Sequence, residues 1–311
     1  MLRVYPDYYK EFKCIASACR HNCCIGWEID VDCNTLDFYN SVEGAFGERL
    51  KNNIDTSCEP HFILSDNERC PFLNDKNLCD IIITLGEENI CDICKEHPRF
   101  HNELPDRTES GLGLCCEAAA GLILGKKEPV KLIFSGQEVG CDEIIELRDR
   151  VISVLQNRSK PINKRIGESC GCLGFAQSEI NLNEWVETLL ELERLDEKWT
   201  ETLLLLKKNM ATADFNGFKR YMESREHEYE QLLVYIIYRY FANSFDTKDA
   251  LTSLRFAEFA YRLIYNIGAV MFTVNGKFDF CDQIEIVRMF SSEIEYSDEN
   301  IDIIFKELQD E

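Results

Sequence analysis

Residues 14–24 read CIASACRHNCC and place four cysteines within eleven positions. The crowding continues downstream, where residues 70–79 read CPFLNDKNLC, residues 91–94 read CDIC and residues 115–116 read CC. Twelve of the 16 cysteines in this chain of 311 residues precede Gly121. Thiols that only fill a hydrophobic core would not gather in this way. The pattern therefore favours metal ligation in the first part of the chain.

The N-terminus decides between metal ligation and a disulfide framework. It reads MLRVYPDYYKEFKC, without the apolar segment and small-residue cleavage site of a secretory signal. No run of 18 apolar residues occurs, so no transmembrane helix is expected. We therefore predict a cytoplasmic protein, and the cytosol keeps thiols reduced. A disulfide framework is the less favoured alternative.

The net charge of −22 argues against nucleic acid as a partner, because acidic chains repel phosphates. Residues 1–120 carry 11 basic and 22 acidic side chains, and the remainder carries 23 and 34. The acidity is thus spread along the chain and favours basic partners or cationic ligands. Solubility alone is the simpler explanation for most of these carboxylates.

The hydrophobic pattern predicts a mainly α protein. A cysteine-rich, metal-bound module of short or irregular elements is expected at residues 1–135, followed by an α-helical bundle at residues 136–311. A glycine-containing linker is predicted at about 160–182. Tyrosine-rich stripes on the later helices favour core packing, with a ligand pocket as the alternative. Apolar spacing predicts the helices of the bundle at residues 142–158, from Asn183 to beyond Leu206, at 228–245, at 250–272, and from Asp298 onward.

The spacing Cys91-x2-Cys94 is typical of metal sites, because a short turn aims two thiols at one point. Tetrahedral thiolate sites suit zinc or iron–sulfur clusters. The chain has only five histidines, which favours an all-sulfur site. We predict an iron–sulfur cluster of the [4Fe–4S] type, with zinc as the alternative.

Four segments of the first part resemble the CxxCxxCC superfamily of zinc- or iron-chelating domains, and its longer form, the flagellin lysine-N-methylase family. They read FKCIASACRHNCCIGWEID, CPFLNDKNLC, ICDICKEHPRF and LCCEAAAGLIL, and the closing segment FSSEIEYSDENIDIIF is also similar. Cys116 stands where this family usually has proline, and His97 where an aromatic residue is common. The resemblance implies a deliberately broad set of metal ligands: Cys14, Cys19, Cys23, Cys24, Cys70, Cys79, Cys91, Cys94 and Cys115.

The resemblance also implies an activity, the transfer of a methyl group from S-adenosylmethionine to lysine amines of flagellin. The chain contains no G-x-G-x-x-G motif after a strand, so a Rossmann-type methyltransferase fold is not predicted. The sequence names no catalytic residue and no S-adenosylmethionine-binding residue. Two alternatives remain: a non-catalytic zinc- or iron-binding scaffold that docks partners, and, less favoured, an electron-transfer protein.

Overall fold

The computed structural model describes residues 1–137, 140 and 142–310. The chain forms two compact units. Residues 13–100 and 116–118 form the first, called the cysteine unit here. Residues 1–12, 101–115 and 119–311 form the second, called the helical unit.

Helices make up most of the regular structure, which confirms the predicted mainly α class. The strands are β1 (Leu2–Pro6), β2 (Ile54–Asp55), β3 (His61–Phe62), β4 (Arg99–Glu103), β5 (Arg107–Leu112) and β6 (Leu132–Ser135). The helices are α1 (Cys33–Ser41), α2 (Gly44–Asn52), α3 (Asp80–Leu85), α4 (Asp92–Glu96), α5 (Glu117–Leu124), α6 (Glu143–Leu155), α7 (Ile162–Cys172), α8 (Leu182–Glu191), α9 (Glu197–Asn209), α10 (Phe215–Tyr221), α11 (Glu226–Tyr240), α12 (Thr247–Asn275), α13 (Phe280–Phe290) and α14 (Asp298–Asp310). A π-helical segment, Ser291–Glu295, joins α13 to the turn before α14.

The cysteine unit has short elements around a small aromatic core, as its broken hydrophobic pattern predicts. Helix α1 begins at a cap in which the Asp32 carboxylate accepts a hydrogen bond from the Thr35 amide. Strands β2 and β3 pair antiparallel. The ring of Phe62 lies 5.0 Å from that of Phe72 and 6.4 Å from that of Tyr39. Cys70 and Cys91 are buried in the same core.

The helical unit is organised around α11 and α12. The apolar run of α11 is buried on nearly all sides, as predicted, and the 29-residue α12 carries a long buried face. A four-stranded sheet in the order β4–β5–β1–β6 belongs to this unit, with β1 parallel to β5 and antiparallel to β6. In the described part of the chain, no helix is both long and apolar enough to cross a membrane.

The linker predicted at 160–182 is a helix over about half of its length, because residues 162–172 form α7. Its glycines pointed to a loop, yet Ile162, Arg165, Ile166 and Ser169 bury one helical face against the rest of the unit. Packing of this face outweighs the poor helix propensity of Gly167. A boundary between the two modules was predicted near residue 135, but the two compact units do not divide there.

The helix predicted from Asn183 is two helices. Asn181, not Asn183, caps α8, because its side chain accepts a hydrogen bond from the Asn183 amide. The chain then leaves the helical conformation until Asp196 caps α9. The apolar stripe continues through both helices, so its spacing conceals the break.

Candidate functional site

Cys24, Cys70 and Cys79 are brought together by short backbone contacts in the cysteine unit. The Cys70 amide donates to the carbonyl of Cys24 at 2.8 Å. A β-bridge pairs Leu73 with Cys79, so the chain between them folds back on itself. The loop CPFLNDKNLC therefore presents its first and last thiols to one region.

Cys91 and Cys94 form the second part of this group. Cys91 caps α4 and Cys94 lies in its first turn, so the two thiols share one side of the helix. Their sulfurs hydrogen-bond each other, and this bond lowers the pKa of Cys91 and raises that of Cys94. The Tyr39 hydroxyl lies 3.8 Å from the Cys91 sulfur. Cys91 is thus the readier thiolate of the pair.

The five thiols of Cys24, Cys70, Cys79, Cys91 and Cys94 interact electrostatically with one another. Burial raises the pKa of Cys70 to about 11 and also raises that of Cys79. Backbone amides that hydrogen-bond these two sulfurs act in the opposite direction and favour thiolates. Thiols in this state release protons when a metal binds.

Three further predicted ligands, Cys14, Cys19 and Cys23, adjoin this group, and the sulfur of Cys23 hydrogen-bonds that of Cys24. The sulfur of Cys19 interacts electrostatically with Cys14 and Cys23 and lies 3.8 Å from a carboxylate oxygen of Glu117. The Glu117 carboxylate also accepts hydrogen bonds from the amide and guanidinium of Arg20, at 2.9 and 2.7 Å. The ion pair thus fixes the segment that carries Cys19.

The ninth predicted ligand, Cys115, belongs to the helical unit, where its thiol hydrogen-bonds Tyr296. The nine residues therefore form a group of five, a group of three that is linked to it through Cys23 and Cys24, and the separate Cys115. Among residues 1–137, 140 and 142–310, no group of three or more His, Cys, Asp or Glu side chains is arranged to hold a metal ion. The group of five still has the donor chemistry of a thiolate-ligated centre: clustered thiols, burial and backbone amides at the sulfurs. The ligand set stays a prediction.

His97 lies after Cys94 in the same unit, and burial lowers its pKa to about 4. An unfolded histidine titrates near pH 6.5, so below that pH the unfolded chain binds a proton that the folded chain excludes. Stability is therefore lost as the pH falls from about 6.5 towards 4. Between pH 7 and pH 5, the loss due to His97 is about 2 kcal/mol. His97→Phe is expected to abolish this part of the pH dependence, measured as unfolding free energy in urea at the two pH values.

The matched control is His61→Phe. His61 is partly exposed in the same unit, and its pKa is raised by a hydrogen bond to the carbonyl of Glu59. Removing it should therefore not protect the protein against acid. Equal acid sensitivity of the His97→Phe and wild-type proteins would show that His97 is not the group that titrates.

A buried polar network in the helical unit surrounds Glu295, the last residue of the π-helical segment. The hydroxyls of Tyr235 and Tyr240 each donate to its carboxylate at 3.0 Å, and the Arg239 guanidinium lies 3.4 Å away. The guanidinium also lies 5.1 Å from the ring centre of Tyr296. This site is not predicted from the sequence, although an arginine within the apolar run LLVYIIYRYF is a signal for a buried ion pair.

A second feature of the helical unit is an open pocket of about 320 Å³ between α7, α10, α11 and α12. Tyr229, Tyr261 and Tyr265 line it together with Glu223 and Glu226. Small-molecule sites generally have this size or larger and combine aromatic walls with a few polar groups. The tyrosine residues therefore have both of the roles considered in the sequence analysis: they pack the core and they line a pocket.

Taken together, a thiol-rich unit and a helical unit with a polar pocket define a mainly α protein. Residues 175–311 match the family model described as the FliB lysine N-methylase C-terminal domain. The resemblance to flagellin lysine-N-methylases drawn from the sequence is thereby confirmed.

Curated relatives agree with this assignment. The lysine-N-methylases of Salmonella typhimurium and Salmonella choleraesuis are each 27% identical to the chain over 141 residues, which is 41% of this chain and 33% of theirs. The flagellar biosynthetic protein FliU of Salmonella muenchen is 26% identical over 141 residues, 41% of this chain and 79% of its own. The chain thus spans about a third of the length of the two lysine-N-methylases. No solved structure matches the chain.

Proposed function

We propose that this chain is a cytoplasmic lysine N-methyltransferase that uses S-adenosylmethionine and acts on flagellin. The observation that carries the proposal is the family match over residues 175–311, which contains α8 to α14 and most of the pocket lining. The names of the curated relatives, lysine-N-methylase and flagellar biosynthetic protein, support the reaction and its flagellar setting. The acidic surface supports a lysine-rich partner, because it attracts protonated amines.

The proposal includes a [4Fe–4S] cluster in the cysteine unit, with zinc as the alternative. Cys24, Cys70, Cys79, Cys91 and Cys94 supply more than the four thiolates that such a cluster needs. When bound, the cluster supplies thiolate–iron bonds that hold the ends of three short segments together. The aromatic core around Tyr39, Phe62 and Phe72 keeps water away from these thiolates.

The reaction sets a clear demand on the protein. The lysine nitrogen attacks the methyl carbon, the bond from this carbon to the sulfonium sulfur breaks, and S-adenosylhomocysteine leaves. The amine must first lose a proton, which at pH 7 costs about 4.6 kcal/mol for a reference pKa of about 10.4. A carboxylate or a desolvating pocket can meet this cost. The carboxylates of Glu223 and Glu226 are the acidic groups of the tyrosine-lined pocket.

Methyl transfer is tested by incubating the purified protein, with its metal site filled, with radiolabelled S-adenosylmethionine and flagellin. We expect label on flagellin lysines, identified by peptide mass spectrometry. The control substrate is flagellin whose lysine amines have been dimethylated chemically, which should accept far less label. Absence of label on unmodified flagellin would leave the non-catalytic scaffold as the better explanation.

A further inference from the structure

The tyrosine-lined pocket has one continuous aromatic wall. The ring centres of Tyr229 and Tyr261 are 5.5 Å apart, those of Tyr229 and Tyr265 5.3 Å, and those of Tyr261 and Tyr265 5.8 Å. The three rings are tilted against one another, by 51° to 75°. Tyr229 and Tyr261 are buried, whereas Tyr265 is partly exposed. An aromatic wall of this kind attracts cations, because the faces of the rings carry negative potential.

The hydroxyl of Tyr229 is a buried polar group behind this aromatic wall. Tyr229 is 1% exposed, and its oxygen makes no hydrogen bond within the described residues. A buried hydroxyl without a partner costs free energy, so such groups usually meet a water or a ligand. The oxygen is itself inaccessible to solvent, so a ligand in the open pocket would contact the ring of Tyr229 and not its hydroxyl.

The charges around the pocket also favour a cation. Glu223 and Glu226 both line it, and the negative charge of Glu226 contributes to the raised pKa of Tyr265, after burial. One oxygen of Glu226 accepts from Arg165 at 2.6 Å, but the side chain remains 44% exposed. Of the two basic lining residues, Arg262 is neutralised by Glu258 at 2.6 Å, and Lys219 is exposed to water.

We propose that this pocket binds a methylated onium cation, either the sulfonium of S-adenosylmethionine or the methylammonium of a lysine product, against its tyrosine wall. Core packing explains the contacts among the rings. It does not explain the pocket of about 320 Å³ beside them or the two carboxylates that line it. The choice of these two cations rests on the proposed methyl transfer, whereas the preference for an onium group rests on the pocket itself.

The test is isothermal titration of the full chain with three probes. S-adenosylmethionine and N-acetyl-N6-trimethyllysine amide carry the cation, and S-adenosylhomocysteine lacks it. We expect at least one cationic probe to bind, and S-adenosylhomocysteine to bind more weakly than S-adenosylmethionine. Whether S-adenosylmethionine or the trimethyllysine probe binds identifies the source of the cation. A change in tyrosine absorbance of the wild-type protein on binding gives a measurement that needs no variant.

Tyr265 is the residue to change, because it is partly exposed and its replacement should leave the fold intact. Tyr265→Leu removes the aromatic face and is expected to weaken cation binding about 3- to 30-fold. Tyr265→Phe keeps the face and should bind nearly as well as the wild type. The control is Tyr221→Leu, an exposed tyrosine on α10 that does not line the pocket.

Three results would overturn the proposal: no binding of either cation, equal binding of S-adenosylhomocysteine and S-adenosylmethionine without binding of the trimethyllysine probe, or binding insensitive to Tyr265→Leu. The last two would indicate a nucleoside site or a site elsewhere. Different results would contradict the proposed function. Methyl transfer with KM values for both S-adenosylmethionine and flagellin unchanged in Tyr265→Leu would preserve the function and refute the pocket. Cation binding without methyl transfer would support the pocket and contradict the proposed function.

Discussion

Replacing Cys94 by serine is expected to strip the metal from the cysteine unit and to unfold it. Cys94 hydrogen-bonds Cys91 and interacts electrostatically with Cys24 and Cys70, so it lies at the centre of the group of five thiols. Structural metal sites contribute apparent free energies of about 10–16 kcal/mol, far above the effect of most single contacts. The core of this unit is small, so it cannot replace such a contribution. The measurements are iron and acid-labile sulfide content after anaerobic purification, and the protease sensitivity of residues 13–100.

The matched control for this prediction is Cys33→Ser. Cys33 lies in the same unit and is exposed as the first residue of α1, outside the group of five. It should keep the iron, the sulfide and the protease resistance of the wild type. Equal loss of metal from both variants would contradict the assignment of the ligands. Stoichiometric zinc without sulfide in the wild-type protein would replace the cluster by the zinc alternative.

The sequence predicts best those elements whose burial is regular along the chain. Helices α11, α12 and α14 lie where apolar spacing indicates them, because each buries a face or its whole surface against the same unit. Prediction from the sequence fails at α7. Glycine content indicates only the local conformational preference of the chain, and here the packing of the helix overrides that preference. Prediction also fails between α8 and α9, since one apolar stripe continues across the non-helical residues that separate these two helices.

The candidate sites are harder to predict, because their residues meet through contacts between distant parts of the chain. Clustering in the sequence indicated a thiol site, but only the β-bridge at Cys79 and the contact between Cys24 and Cys70 show which thiols come together. The same limit applies to the pocket, whose Tyr229 and Tyr265 come from different helices. Tyr235 and Glu295 likewise lie 60 positions apart.

Glu295→Ala is expected to destabilise the helical unit by about 3–5 kcal/mol. The side chain of Glu295 is 0% exposed and that of Arg239 13%, so the pair is almost fully removed from water. Without the carboxylate, the Arg239 guanidinium keeps its positive charge in a site of low polarity and loses its anionic partner. The hydroxyls of Tyr235 and Tyr240 lose their acceptor at the same time. Breaking a buried pair from one side is costly for this reason, even where the intact pair contributes little.

The control is Glu187→Ala, which removes a glutamate of the same unit whose ion pair with Lys207, at 2.6 Å, is exposed to solvent. Exposed pairs contribute about 0–1 kcal/mol, so this variant should unfold close to the wild type. Urea unfolding followed by the fluorescence of the buried Trp185 and Trp199 reports on the helical unit that contains both glutamates. A loss below about 1 kcal/mol in both variants would mean that Arg239 finds another partner when Glu295 is removed. A large loss confined to Glu295→Ala would show that the π-helical segment is held in place by this buried carboxylate.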